Sequence, residues 1–262
     1  MFIFLDTETT GLEGTDKIIQ LSYIITDRKC NILDAKNYFF DVDVEISKGA
    51  TEVHGIDKEK LIELSGGKKF KDYAKDILWD FQNAKVICHN VKFDTNMLKY
   101  EFARLHKKLQ LRDTFCTMEG YTDILKLWHE YYGYKWPKLE EVVEYLNLDR
   151  EDLKVKSTEV FKEEVADFHD ARLDVYTTYR IYKALKESVM SEHIEKVKEK
   201  VNNLTTETSR KDIRSIIREL EECKSISNLF GRFEDKIEEP NFQPPSSEQN
   251  GFEEIDDDDI PF

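Results

Sequence analysis

The sequence predicts an α/β fold in which a mixed sheet is packed by helices, with a helical extension and an unfolded acidic tail after it. Three observations lead there. Residues 1–46 hold three apolar runs with strand patterning. From there to about Leu185, helical stripes surround one further short apolar run. The final segment mixes proline, serine and glycine with carboxylates and has too little apolar content to fold.

The opening run MFIFLDTET is rich in strand formers, and KIIQLSYIIT alternates, setting Ile19, Leu21, Tyr23 and Ile25 on one face. NYFFDVDVEI alternates through Tyr38, Phe40, Val42 and Val44, which predicts a third strand and hence an antiparallel meander. Helical material around 58–79 follows, and the short run KVIC suits a fourth strand returning beside the first. Met97, Leu98, Phe102, Leu105 and Leu109 make a helical stripe, and Trp136-Pro137 punctuates the chain before the helix KLEEVVEYL. Beyond Leu185, the stripe Ile194, Val197, Val201, Leu204 and a second one, Ile213, Ile216, Ile217, Leu220, predict two amphipathic helices packed on the body. The expected organisation is therefore a folded body over 1–186, a helical extension over 187–231, a disordered linker over 232–252 and an acidic tip over 253–262.

At 262 residues with 40% hydrophobic content, the chain can bury one full-sized core. No apolar run approaches the roughly 20 residues that span a bilayer, and the N-terminus lacks a signal-peptide pattern, so a soluble, cytoplasmic protein is expected. Cys30, Cys88, Cys116 and Cys223 are scattered with no C-x-x-C pair, which argues for buried thiols over a zinc site or disulfides. The net charge of -15 argues against a surface that binds phosphate chains, but eleven carboxylates against only Arg232 and Lys236 place -9 of it after residue 231. Bound divalent cations would neutralise part of the remainder.

Asp6-Thr7-Glu8 falls at the end of the first strand, where side chains two apart share a face, so two carboxylates converge. Such a pair needs cations or donors nearby. Asp94, in His89-Asn90-Val91-Lys92-Phe93-Asp94, stands at a helix start, where a simple N-cap is the structural alternative. His169 and Asp174, in His169-Asp170-Ala171-Arg172-Leu173-Asp174, would lie about 140° apart on one helix. His169 must then occupy the entry loop or first turn, with Asp174 pointing inward from the turn that follows.

In this order and spacing, DTETTGL, HNVKFD and HDARLD resemble the DEDDh family of 3′-to-5′ exonucleases, which includes the proofreading subunits of bacterial replicative polymerases. The resemblance covers roughly residues 1–185 and takes in Val53-His54-Gly55-Ile56 and Pro137-Lys138-Leu139. A histidine five before the last aspartate marks the h branch; the y branch would carry tyrosine where Asp170 stands. The resemblance implies a ribonuclease H-like, mixed five-stranded sheet flanked by helices. It also implies two Mg²⁺ or Mn²⁺ ions, with Asp6 bridging both, Glu8 and Asp174 completing one site, Asp94 supporting the other and His169 as general base. Thr7, Thr9, Thr10 and Leu12 are implied contacts to the terminal nucleotide, Leu12 as an apolar wedge, and His54 could face the same cleft. His89 and Asn90 read as loop-fixing residues.

The chain closes on Glu253-Glu254-Ile255-Asp256-Asp257-Asp258-Asp259-Ile260-Pro261-Phe262, which is similar to the acidic tip of bacterial single-stranded-DNA-binding proteins. An apolar Ile260/Phe262 pair with a carboxylate enters a small basic pocket, and aspartates such as Asp258 and Asp259 add steering. The expected partners are therefore single-stranded or 3′-ended DNA and genome-maintenance proteins with a pocket for that tip, with a DNA polymerase or RNA as further candidates and no membrane. An exoribonuclease of the same superfamily and a non-catalytic adaptor are the competing readings; filled catalytic positions argue against the adaptor.

Overall fold

The computed structural model describes residues 1–202, apart from 112, 132 and 166–168, together with 215, 216 and 218. Strand β1 (Phe2–Thr9) lies at the centre of a five-stranded sheet ordered β3-β2-β1-β4-β5. It pairs antiparallel with β2 (Ile18–Thr26), which pairs antiparallel with β3 (Ile32–Phe39). On its other side β1 pairs in parallel with β4 (Lys85–Cys88), and β4 in parallel with β5 (Asp113–Cys116). The meander and the returning fourth strand are as the sequence predicts.

Alternation along β1 organises both layers of the core. Ile3 and Leu5 face helices α3 (Phe70–Phe81) and α4 (Val91–Arg104), packing with Ile77, Phe81, Met97, Leu98 and Phe102. Phe2 and Phe4 face the opposite way, against α6 (Leu139–Tyr145), α7 (Arg150–Phe161) and the long α8 (Ala171–Asn202), where Phe4 meets Tyr179 and Tyr182 edge to face. All nine residues of β2 are buried, as helices on both faces require. Helices α1 (Lys48–His54) and α2 (Lys58–Ser65) precede α3, and α5 (Thr117–Leu125) follows β5. A small hairpin of β6 (Trp128–His129) and β7 (Gly133–Tyr134) stands between α5 and α6.

The structure corrects the third strand. NYFFDVDVEI enters the ladder only as far as Phe39; Asp41 N–H instead bonds Lys68, and Val42 packs with Ile19, Ile56 and Leu61 beneath α2. The alternation through Val44 reports one buried face, which a helix can cover as well as a strand. The true start of β3, ILDAK, lacks strand formers after Leu33 and is drawn in by its register on β2. The helical stretch around 58–79 is broken at Gly66 and Gly67, both with positive φ, which glycine adopts without a Cβ penalty. The stripe through Leu105 and Leu109 overruns α4, which ends at Arg104, although Leu109 still reaches the core.

Residues 187–202 continue α8 without a break, so the stripe at Ile194, Val197 and Val201 belongs to the same helix. Leu204, Ile213, Ile217 and Leu220 lie outside the described residues, as do the linker at 232–252 and the tip at 253–262; Ile216 is buried. Cys30, Cys88 and Cys116 are buried free thiols, and Cys223 lies outside the described residues. Among the described residues, no helix is long and apolar enough to cross a membrane.

Candidate active site

The same alternation that sorts the core delivers the site. Asp6 and Glu8 continue the face of Phe2 and Phe4, so they leave the sheet toward α8, whose first turn carries Asp174. Thr7 points the other way, toward α4, and its hydroxyl donates to Asp94 Oδ1 at 2.8 Å. Asp94 and Asp174 are each the fourth residue of their helices, bonding by N–H to Asn90 and Asp170 carbonyls. Both helices thus present their positive N-terminal ends to the carboxylates.

Ligand atoms of Asp6, Glu8 and Asp174 lie within 4.8 Å of one another. Asp94 stands outside that group of three, but its charge reaches each of them. Burial, reinforced by the neighbouring carboxylates, pushes Asp6 far above the ordinary range and Glu8 up to about 9. Burial raises Asp174 to about 8 against the N–H of His169, and Asp94 to about 7 against its bond from Thr7. Asp174 Oδ1 is buried with no hydrogen-bond partner. Crowded acids with an orphaned oxygen are a site short of positive charge, and an all-oxygen donor set suits a hard divalent cation.

His169 lies two residues before α8, in the entry turn the sequence requires, with φ of 69°. Its N–H donates to Asp174 Oδ2 at 3.2 Å, its side chain is about half exposed, and Nε2 approaches Glu140 Oε1 at 4.0 Å. Sequence reasoning missed what holds this turn. Gln20 on β2 donates to Asp170 Oδ1 at 3.1 Å and accepts from Ala171 N–H, while Arg172 clamps Asp170 through Nε at 2.9 Å and Nη2 at 2.6 Å. Pairing of Gln20 with Asp170 spans 150 residues, so no local pattern announces it.

The loop after β1 is closed by Asp16, which accepts from the Thr10 hydroxyl at 2.8 Å and from Glu13 N–H at 2.7 Å. A Cβ on Gly11 would sit 2.6 Å from Asp16 Oδ2, so a side chain there would displace the carboxylate that closes the loop. Thr7, Thr9 and Thr10 are all buried, with hydroxyls committed to Asp94, the Gly11 carbonyl and Asp16. Leu12, by contrast, is 82% exposed at the loop tip. His54 Nδ1 accepts from Ile56 N–H at 3.1 Å, which leaves Nε2–H to face the Thr9 carbonyl at 3.3 Å, and burial lowers its pKa. His89 donates from Nε2 to the Pro137 carbonyl at 3.0 Å and meets Thr117 Oγ1 at 3.1 Å, fastening the end of β4 to the segment before α6.

The chain belongs to the exonuclease family: the family model RNase_T, described as Exonuclease, matches residues 3–182. Among individual proteins, it is similar to DNA polymerase III subunit epsilon of Buchnera aphidicola subsp. Schizaphis graminum, with 32% identity over 137 residues covering 48% of this chain and 54% of that protein. The same subunit from Buchnera aphidicola subsp. Acyrthosiphon pisum is 31% identical over 134 residues, covering 49% and 54%. This chain therefore spans about half the length of the curated relatives it matches. Among solved structures, E. coli Exonuclease I in complex with a dT13 oligonucleotide superposes with a TM-score of 0.55 at 20% identity, covering 74% of this chain and 43% of that one. That likeness supports the five-stranded mixed sheet flanked by helices as the family's fold.

Proposed function

We propose that this chain is a two-metal-ion 3′-to-5′ exonuclease that hydrolyses phosphodiester bonds at the 3′ end of DNA, in replication proofreading or repair. The observation that carries this reading is the convergence of Asp6, Glu8 and Asp174 within 4.8 Å, beside Asp94 and His169, in a chain of the exonuclease family. DNA as substrate is supported by relatives named as a DNA polymerase subunit and by a structural neighbour solved with dT13.

Asp6, Glu8, Asp94 and Asp174 would hold the cations. Two Mg²⁺ or Mn²⁺ ions held by these carboxylates would supply an activated water and neutralise charge on the phosphate and leaving oxygen. His169, exposed on its turn, takes the proton of the attacking water at a ring nitrogen, while the Gln20–Asp170–Arg172 network keeps that turn in place. Exposed Leu12 meets the terminal base; buried Thr7, Thr9 and Thr10 serve by shaping the loop, which leaves its backbone to contact the nucleotide.

The test is a product ladder from matched 5′-labelled single-stranded DNA and RNA, in Mg²⁺ and in EDTA, with His169→Ala alongside. A Mg²⁺-dependent ladder shortening from the 3′ end of DNA is expected, slowed by about 10²- to 10⁴-fold in the variant. Preference for RNA would make the protein an exoribonuclease, and no ladder on either would favour a binding adaptor. The acidic tip is proposed to dock on genome-maintenance proteins through Ile260, Pro261 and Phe262. Phe262→Ala should abolish pull-down of a protein that binds the tip of single-stranded-DNA-binding proteins and leave the ladder unchanged; retained pull-down would sink the docking idea.

A further inference from the structure

Six of the nine residues at 128–136 are aromatic or histidine: Trp128, His129, Tyr131, Tyr132, Tyr134 and Trp136. Four of the described ones face solvent, with exposures of 72% for Trp128, 81% for Tyr131, 47% for Tyr134 and 65% for Trp136. They do not serve the fold, because the neighbouring core closes around Tyr121, Val142, Ile181 and Leu185 without them. Large apolar rings held out of a core mark a binding surface.

Three of these rings, Trp128, Tyr134 and Trp136, share a face. Trp128 pairs directly across the hairpin with Tyr134, their rings 5.9 Å apart edge to face. A bond from Lys135 N–H to the Leu127 carbonyl at 2.8 Å carries the ladder one step further, and alternation returns Trp136 to the side of Tyr134. Lys126 and Lys138 flank the rings, while Lys135 is paired with Glu141. The hairpin is also anchored to the active site. Buried Pro137 receives the His89 bond, and Glu140, 4.0 Å from the His169 imidazole, follows Trp136 by four residues. That length of chain spans at most roughly 14 Å. It therefore allows at most about four stacked nucleotides at about 3.4 Å each.

We infer that this aromatic hairpin is a stacking platform for bases of single-stranded DNA lying a few nucleotides 5′ of the one being removed. The inference rests on the exonuclease reading and adds to it a second binding surface. Stacking on a ring accepts any base, which suits an enzyme that degrades without regard to sequence. It also gives an acidic chain an uncharged source of affinity.

The experiment measures steady-state hydrolysis of dT12, dT3 and the p-nitrophenyl ester of thymidine 5′-monophosphate by wild type, Trp136→Ala and Trp128→Phe/Trp136→Ala. Trp136→Ala should raise KM for dT12 by about tenfold, the order of one lost stacked base. Values of kcat, and all constants for dT3 and the ester, should stay unchanged, which also shows the variants fold. Tryptophan emission of Trp79→Phe should fall on adding dT12 in EDTA, since only Trp128 and Trp136 then remain of the three tryptophans. An unchanged KM for dT12, or equal loss on the ester and dT12, overturns the platform. So does a change confined to self-association in sedimentation, which would make the rings a protein interface. Wild type inactive on all three substrates would fail the exonuclease reading instead, and emission that does not respond to dT12 would then fail the platform as well.

Discussion

Asp6→Asn should lower turnover at least about 10³-fold and, at the same time, raise the melting temperature of the metal-free protein. The two effects share one cause. Asp6 is the carboxylate on which Asp94, Asp174, Glu8 and Asp170 all act, and each of them opposes its ionisation. Asparagine keeps the shape and removes the charge. Without cations, burial and the neighbouring carboxylates hold Asp6 protonated in the fold while the unfolded chain ionises it at pH 8, so asparagine removes a protonation cost on the order of 1 kcal/mol or more. For a body of this size the gain corresponds to about 2–4 °C for each kcal/mol. With cations the sign reverses, because the site loses a ligand and several kcal/mol of charge stabilisation at the phosphate. Calorimetry in EDTA and in Mg²⁺ at pH 8, beside the product ladder, checks both halves. An Asp6→Asn protein that melts lower in EDTA, or one that keeps its turnover, would sink this account of the site.

How much of this was legible before the structure follows from the range of each interaction. Asp6 and Glu8 could be placed because strand alternation is local, and His169 could be confined to a turn because five residues on a helix cannot align it with Asp174. Asp94 was legible as a helix-start residue, but its bond from Thr7 depends on which face of β1 meets α4, and they are 87 residues apart in sequence. β3 was misplaced because burial against α2 leaves the same alternation as pairing with β2. β5, only DTFC, has too few residues to carry a pattern, and it joins the sheet by its parallel register on β4. The hairpin was missed for a different reason: its signal, aromatic residues among lysines, was present at 126–138 but fits neither a strand stripe nor a metal motif.

The pH dependence of the metal-free fold follows from the same crowding. In the unfolded chain, aspartate and glutamate lose their protons near pH 4. In the fold, Asp94, Asp174 and Glu8 keep theirs to about 7, 8 and 9. Between those limits the folded state binds more protons than the unfolded one, so stability falls as pH rises from about 4 to about 9. The lower half of that window is not clean. Burial lowers the pKa of His54 and His89, so below about pH 6.5 the unfolded chain binds their protons more readily and their contribution rises with pH. Above pH 7 both imidazoles are neutral in either state and the carboxylate slope stands exposed. Near pH 9 the buried thiols of Cys30, Cys88 and Cys116 add loss of the same sign, and the Met1 amine opposes it. The difference in melting temperature between Mg²⁺ and EDTA removes these common contributions. That difference should be small at pH 6, where cations must displace protons from the site, and should grow steadily to pH 9 as the acids ionise. Asp6→Asn should flatten the rise. A Mg²⁺ shift that is constant with pH, or one that Asp6→Asn leaves intact, would place the cation elsewhere than among these four carboxylates.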